Sequence, residues 1–340
     1  MKRFLHPFWL FLPILFLALL SACNRGRVRV LEIAYVSAVQ ANLRDRVAAV
    51  YEKVGVVKNG DRVEVLDHDR RFVKVRTATG AMGWIEQRYL VGQNVFDQIQ
   101  KLTADSQNDP VQAQGVTRND TNLHVEPGRD TEHLYQISSG EKLALLKRGT
   151  AAKPGAVAPP SRSASGSKSQ DKQPVPVIED WWLVRDSHNR VGWVLARMVD
   201  LDVSLDIAQY AEGQRIIAFF VLNQVQDGDK KVSQYLTVLT EPKDGLPFDF
   251  NQIRVFTWNV KRHRYETAYR ERMEGVLPVT VTQENFDKEG LLPVFVVRTK
   301  DDNGNVTERK YKLNTPIVRR VLAPGEEPVR SVSRKAKRRR

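Results

Sequence analysis

Cys23 is the only cysteine in a chain of 340 residues, and that one thiol limits the chemistry open to it. No internal disulfide and no thiolate zinc cluster can form, and the only possible cysteine nucleophile lies near the N-terminus. The histidines are dispersed: His6, His68, His124, His133, His188 and His263 fall in separate segments, with no HxH or HExxH spacing to offer two imidazoles to one zinc ion. Asp301-Asp302 and Glu326-Glu327 are adjacent carboxylates in an expected turn and an expected tail, where they read as solvated surface and not as a paired acid and base. A nucleophile elbow and a phosphate-cradling glycine loop are also missing from the sequence. The expectation is therefore a protein that is not an enzyme, with no catalytic residues, no metal and no cofactor.

What surrounds Cys23 gives it a different chemistry. Lys2 and Arg3 precede an apolar run from Phe8 to Leu20 that only Pro13 interrupts. Thirteen residues are too few for a membrane span of roughly 20, and they fit a secretory core of about 7 to 15. The run ends in Leu20-Ser21-Ala22-Cys23, which resembles the lipobox of bacterial lipoproteins. The resemblance implies a diacylglyceryl group on the sulfur, cleavage after residue 22 and an acylated new amine. Two or three acyl chains, at about 0.8 kcal/mol per buried methylene, anchor a protein where one would not. Residues 1–22 are thus expected as a lipoprotein signal peptide, with the membrane reached through lipid on Cys23. Asn24, the next residue, implies the outer membrane facing the periplasm in a cell that has one.

The formal charge is +13, but the basic residues of the two ends account for all but one of these charges. A body without a basic excess does not suit nucleic acid. Residues 325–340 are expected as a disordered basic tail whose partner, if it has one, is an anionic surface. Hydrophobic content of 41 % with 27 % charged residues describes ordinary globular material between the ends.

The body contains a repeat. Asn42-Leu43 and the segment from Gly60 to Leu66 recur 80 residues later, at Asn122-Leu123 and from Gly140 to Leu146. Phe72 to Arg76 and Gly83-Trp84-Ile85 recur at an offset of 109, as Trp181 to Arg185 and Gly192-Trp193-Val194. The second copy thus holds 29 extra residues, rich in proline and serine and free of aromatics, a composition expected to leave residues 149–178 as a disordered insertion. Each copy alternates apolar and polar residues and breaks at Gly, Asn or Asp, the pattern of about five short strands closing into a small barrel. A candidate connector helix follows each copy, at Phe96 to Leu102 and at Leu205 to Tyr210.

Asn42-Leu43-Arg44, the strand opened by Gly60, the Val75-Arg76 strand and Gly83-Trp84-Ile85 resemble the bacterial SH3 family. Asp180 to Arg185 followed by Gly192-Trp193-Val194 is similar to SH3 domains generally. The resemblance implies ligand contact by Phe72 and Tyr89 in the first barrel and by Trp181 in the second, while Met198 stands where the second copy would need a tyrosine. Trp84 and Trp193 are expected in the barrel cores. Trp181 and Trp182, adjacent in a strand, must face opposite ways, so both are not expected to be core.

From Arg215 onward the pattern is again strand-like, in seven runs: 216–225, 235–239, 253–260, 265–269, 277–281, 293–299 and 309–313. Asp227-Gly228 and the turn 302–305 tolerate the positive φ of tight hairpins. The fold class is therefore all-β: two SH3-like small barrels (residues 30–91 and 113–200) plus a C-terminal antiparallel β-rich domain (214–324), with short connector helices in 92–110 and 201–213. The function expected is that of a lipid-anchored cell-envelope protein whose barrels bind peptidoglycan peptide or another envelope peptide. The alternatives are a scaffold joining envelope proteins and, third, a wall hydrolase.

Overall fold

A computed structural model describes residues 29–47, 52–157, 175–301 and 303–322. The expected signal segment with Cys23, most of the expected insertion and the expected basic tail lie outside the described residues. The described chain is all-β, with three seven-stranded antiparallel sheets and two short helices, and it divides into two compact units at Phe96/Asp97.

The first unit is one small barrel. Its strands are β1 (Glu32–Val36), β2 (Gln40–Arg44), β3 (Lys53–Lys58), β4 (Arg62–Asp69), β5 (Phe72–Thr77), β6 (Met82–Glu86) and β7 (Leu90–Gly92), in the order β3-β2-β6-β5-β4-β1-β7. Alternation puts Val63 and Val65 of β4 inward, where they meet Val36, Leu43, Val57, Val75 and Ile85 from five other strands. The β3–β4 turn depends on Gly60, at φ +84°, and on Asp61, whose carboxylate accepts the Lys58 N–H at 2.8 Å. Helix α1 (Gln93–Asp105) begins against this barrel, with Phe96 stacked 4.2 Å from the ring of Tyr35.

The second unit opens with a sheet of the same design. Strands β8 (Ala113–Thr117), β9 (Thr121–His124), β10 (His133–Ile137), β11 (Lys142–Val157), β12 (Pro176–Asp186), β13 (Val191–Leu195) and β14 (Val199–Leu201) run β10-β9-β13-β12-β11-β8-β14, matching the first sheet strand for strand. Registers match as well: Phe72 faces Glu86 and Val75 faces Gly83, as Trp181 faces Leu195 and Val184 faces Gly192. The β-bulge after Val65 recurs after Leu145. Each sheet has seven strands where the alternation suggested about five; one of the two further strands in each, the three-residue β7 or β14, is too short to carry a pattern of its own.

The insertion departs from its expectation. Within 149–178, residues 149–157 continue β11 and Pro176 already belongs to β12, so that Gly149 pairs with Trp181, Ala151 with Glu179 and Ala152 with Ile178. These described parts form a paired arm. Backbone hydrogen bonding extends a hairpin whether or not its side chains are apolar, and composition does not record that.

The third sheet is a meander of β15 (Arg215–Asp227), β16 (Lys230–Thr240), β17 (Phe250–Asn259), β18 (Arg264–Asn285), β19 (Leu291–Lys300), β20 (Val306–Asn314) and β21 (Ile317–Val321), each paired with the next. The runs expected at 265–269 and 277–281 are one strand of 22 residues. The charged stretch between them stays in the ladder, with Glu271 opposite Ile253 and Arg272 opposite Gln252, while Met273 turns inward. Strand β21 was not expected; it is a sheet edge and carries no apolar alternation. Inward residues such as Ile217, Val238, Phe250, Val255, Phe295 and Tyr311 join Leu145, Trp182 and Val194 in one continuous core. Helix α2 (Leu205–Ala208) buries Ile207 against Phe256 and Tyr265 on the other face of this sheet.

Candidate functional site

The first barrel holds a shallow cavity of about 210 Å³ on its outer face. Phe72 at the start of β5, Trp84 in β6 and Tyr89 in the one-turn helix after β6 supply its rings; Asn42, Arg44 and Glu86 supply its polar lining. Phe72 is only 5 % exposed, whereas Trp84 and Tyr89 stay partly open to solvent. Strand pairing positions them: Phe72 lies opposite Glu86, and Trp84 lies between Lys74 of β5 and Arg44 of β2. Arg88 fixes Tyr89, its guanidinium standing 4.9 Å from the ring centre and donating to the phenol oxygen at 2.9 Å, while its Nε is 2.9 Å from Glu86. Chemically this is an aromatic surface flanked by two amides (Gln40 and Asn42), one cation and one carboxylate, suited to a small polar ligand with an apolar face.

Two of the expected contact residues, Phe72 and Tyr89, are thus brought together. Trp84, expected in the core, lines the cavity instead. The sign was in its neighbours: Gly83 and Ile85 are buried, and in a strand the residue between them must face out. Trp193 is also only partly buried, its ring lying so close over Gly149 that a Cβ there would meet it at 2.7 Å.

Trp181 is corrected as a groove residue, for it is 2 % exposed. Trp182 is 4 % exposed, so both tryptophans are interior although they face opposite sides. Each side is covered: Trp182 lies in the core shared with the third sheet, and Trp181 meets the edge of His124, ring centres 5.3 Å apart. The segment after β9 folds back, with the Val125 N–H donating to the Glu132 carbonyl at 2.9 Å. Its Arg129 grips Glu179, two residues before Trp181, through bonds of 2.6 and 2.7 Å. That guanidinium holds the Glu179 carboxyl below its ordinary range, against the opposing effect of burial. Cys23 lies outside the described residues.

Histidines that the sequence scatters do meet partners in space. His124 and His133 have ring centres 5.2 Å apart, and burial, then the neighbouring His133, lowers the pKa of His124 against the opposing effect of a hydrogen bond to the Thr131 carbonyl. Glu141, Asp186 and His188 bring one potential metal-ligating atom each within 4.8 Å of one another. Asp186 is nevertheless served by protein donors: its oxygens accept the N–H groups of His188 and Arg190 and the Arg190 Nε at 2.9, 2.8 and 2.6 Å.

Residues 39–91 match the family of the bacterial SH3 domain. No curated protein matches the chain. Solved structures with similarity include NlpC2 from Trichomonas vaginalis, at 10 % identity and a TM-score of 0.18 over 87 % of this chain and 97 % of that one. An NlpC/P60 family protein from Bacillus cereus ATCC 10987 has 12 % identity and a TM-score of 0.23, over 84 % and 95 %. NlpC1 from Trichomonas vaginalis has 8 % identity and a TM-score of 0.18, over 84 % and 89 %. These values assign no role to any residue here. They do correct one expectation: with NlpC and NlpC/P60 proteins as its structural neighbours, the chain is no longer read as excluded from catalysis.

Proposed function

We propose that the chain is a lipid-anchored protein of the bacterial cell envelope whose first barrel holds a short envelope peptide, with peptidoglycan peptide as the first candidate. The observation that carries this reading is the cavity of Phe72, Trp84 and Tyr89 on the barrel matched by the bacterial SH3 family. A peptide suits it because three rings offer apolar contact while Asn42, Arg44 and Glu86 can pair with amide and charged groups. The lipobox-like Leu20 to Cys23 supports the anchor, and the outer membrane facing the periplasm is the proposed site in a cell that has one. The second copy is proposed as a further SH3-like barrel with its corresponding face closed over Trp181, in support of which stand the shared strand order and register.

The test is co-sedimentation with purified sacculi, using the protein without its lipid and its Trp84→Ala variant. Trp84 is partly exposed, so its loss leaves the barrel core intact. Retention by the parent and a loss of at least about tenfold in the variant is expected, corresponding to roughly 1.4 kcal/mol. Equal retention of both proteins, or of neither, would overturn the reading.

A further inference from the structure

One feature not absorbed by that reading is a cavity of about 350 Å³ within the second unit, between the β12 to β14 side of its barrel and the start of β15. Its floor is apolar, made by Trp182, Val199, Leu201 and Ile217, and its wall carries arginines and aspartates. The aspartates are already engaged. Asp200 is paired with Arg118 at 2.6 Å, Asp180 accepts from Arg148 and Arg215 at 2.6 and 2.7 Å, and Asp244 is 2.8 Å from Arg215. One cationic side chain is not: the exposed Arg197 makes no hydrogen bond with a described residue, though it lies in the field of Glu179.

We infer that this cavity binds the C-terminal carboxylate of a short peptide ending in a small aliphatic residue, with Arg197 on the carboxylate and the terminal side chain on Trp182 and Leu201. An arginine prefers a carboxylate because its planar donors match the two oxygens, and that pairing is strongest where water is partly excluded. The volume, near the lower end of the range of about 300–1,000 Å³ for ligand cavities, admits one or two small residues. Asp244, with two-fifths of its side chain exposed, keeps capacity to accept a peptide N–H, a contact that a simple carboxylic acid would leave unused. The inference concerns a different cavity from the Trp84 groove and stands whether or not that groove binds wall peptide.

Calorimetric titration of the full-length chain in detergent with N-acetyl-alanyl-alanine, its C-terminal amide and butanoate tests it. Saturable binding of the acid is expected, at least about tenfold weaker for the amide and for butanoate, and weakened by salt. Arg197→Gln should lose about tenfold and Arg197→Lys should recover part of the loss; being exposed, residue 197 can change without unfolding the chain. Trp84→Ala should bind the acid like the parent, which separates this site from the first barrel. No saturation of the parent by about 10 mM, equal binding of acid and amide, or an Arg197→Gln variant that binds unchanged would overturn the inference. Butanoate binding as tightly as the peptide would overturn its assignment to a peptide end.

Discussion

Arg148 and Asp180 form a nearly dry ion pair, Nη2 to Oδ1 at 2.6 Å, with side chains only 6 % and 3 % exposed. The pair joins the barrel to the third sheet. Arg148 also reaches Asp249 at 3.1 Å, and Asp180 also accepts the Gly245 N–H at 2.9 Å and Arg215 at 2.7 Å. Asp180→Ala should therefore destabilise the second unit by about 3–5 kcal/mol, because it leaves buried guanidinium without its main counter-charge. Denaturant unfolding checks this. Pairing the change with Arg148→Met should restore part of the loss, since the most deeply buried charge is then gone, although Asp249 and Arg215 each lose a partner.

Acidification should weaken the second unit through His124. Its pKa in the folded chain is lowered, with burial the largest cause and His133 the next. On acidification through about pH 6.5 the unfolded chain takes up the proton first, so the folded state loses stability until its own lower pKa is passed. Melting temperature measured from pH 8 to pH 5 should fall across that window, and His124→Phe should flatten the curve.

The paired arm should contribute to stability, contrary to what its composition suggests. Ile178 of the arm packs on Gly245, where an added Cβ would meet it at 2.7 Å and where φ is +73°. Deleting residues 150–178 should lower the melting temperature by several degrees by removing that contact and the strand pairs.

Cys23→Ala should abolish membrane retention and leave an unprocessed or soluble protein. Detergent phase partitioning with labelled palmitate is the measurement. Label on the parent and none on the variant is expected; a parent without label, together with a variant still held in the membrane, would remove the lipid anchor from the proposal.

Local patterning carried much of the architecture. Gly60 at its turn, the inward valines of β4 and the matched offsets of 80 and 109 point to two sheets of one strand order, because a strand's period and a hairpin's glycine are written in neighbouring residues. The Asp227-Gly228 hairpin was legible for the same reason. Facing was harder. The size of Trp84 suggests core, whereas the buried Ile85 beside it turns it outward; Phe72 and Tyr89 line the same cavity.

What only the tertiary structure decided is which outward faces stay open. Phe72 and Trp181 occupy equivalent places in equivalent ladders, yet one borders a cavity and the other is sealed. The difference comes from Arg129 closing on Glu179 and His124 meeting the indole, contacts between segments about 50 residues apart. The cavity beside Arg197 and Arg215 likewise exists only where the barrel and the third sheet meet. Strand period specifies which side a residue faces; what covers that side depends on chain brought there from a distance, and neighbouring residues hold no record of it.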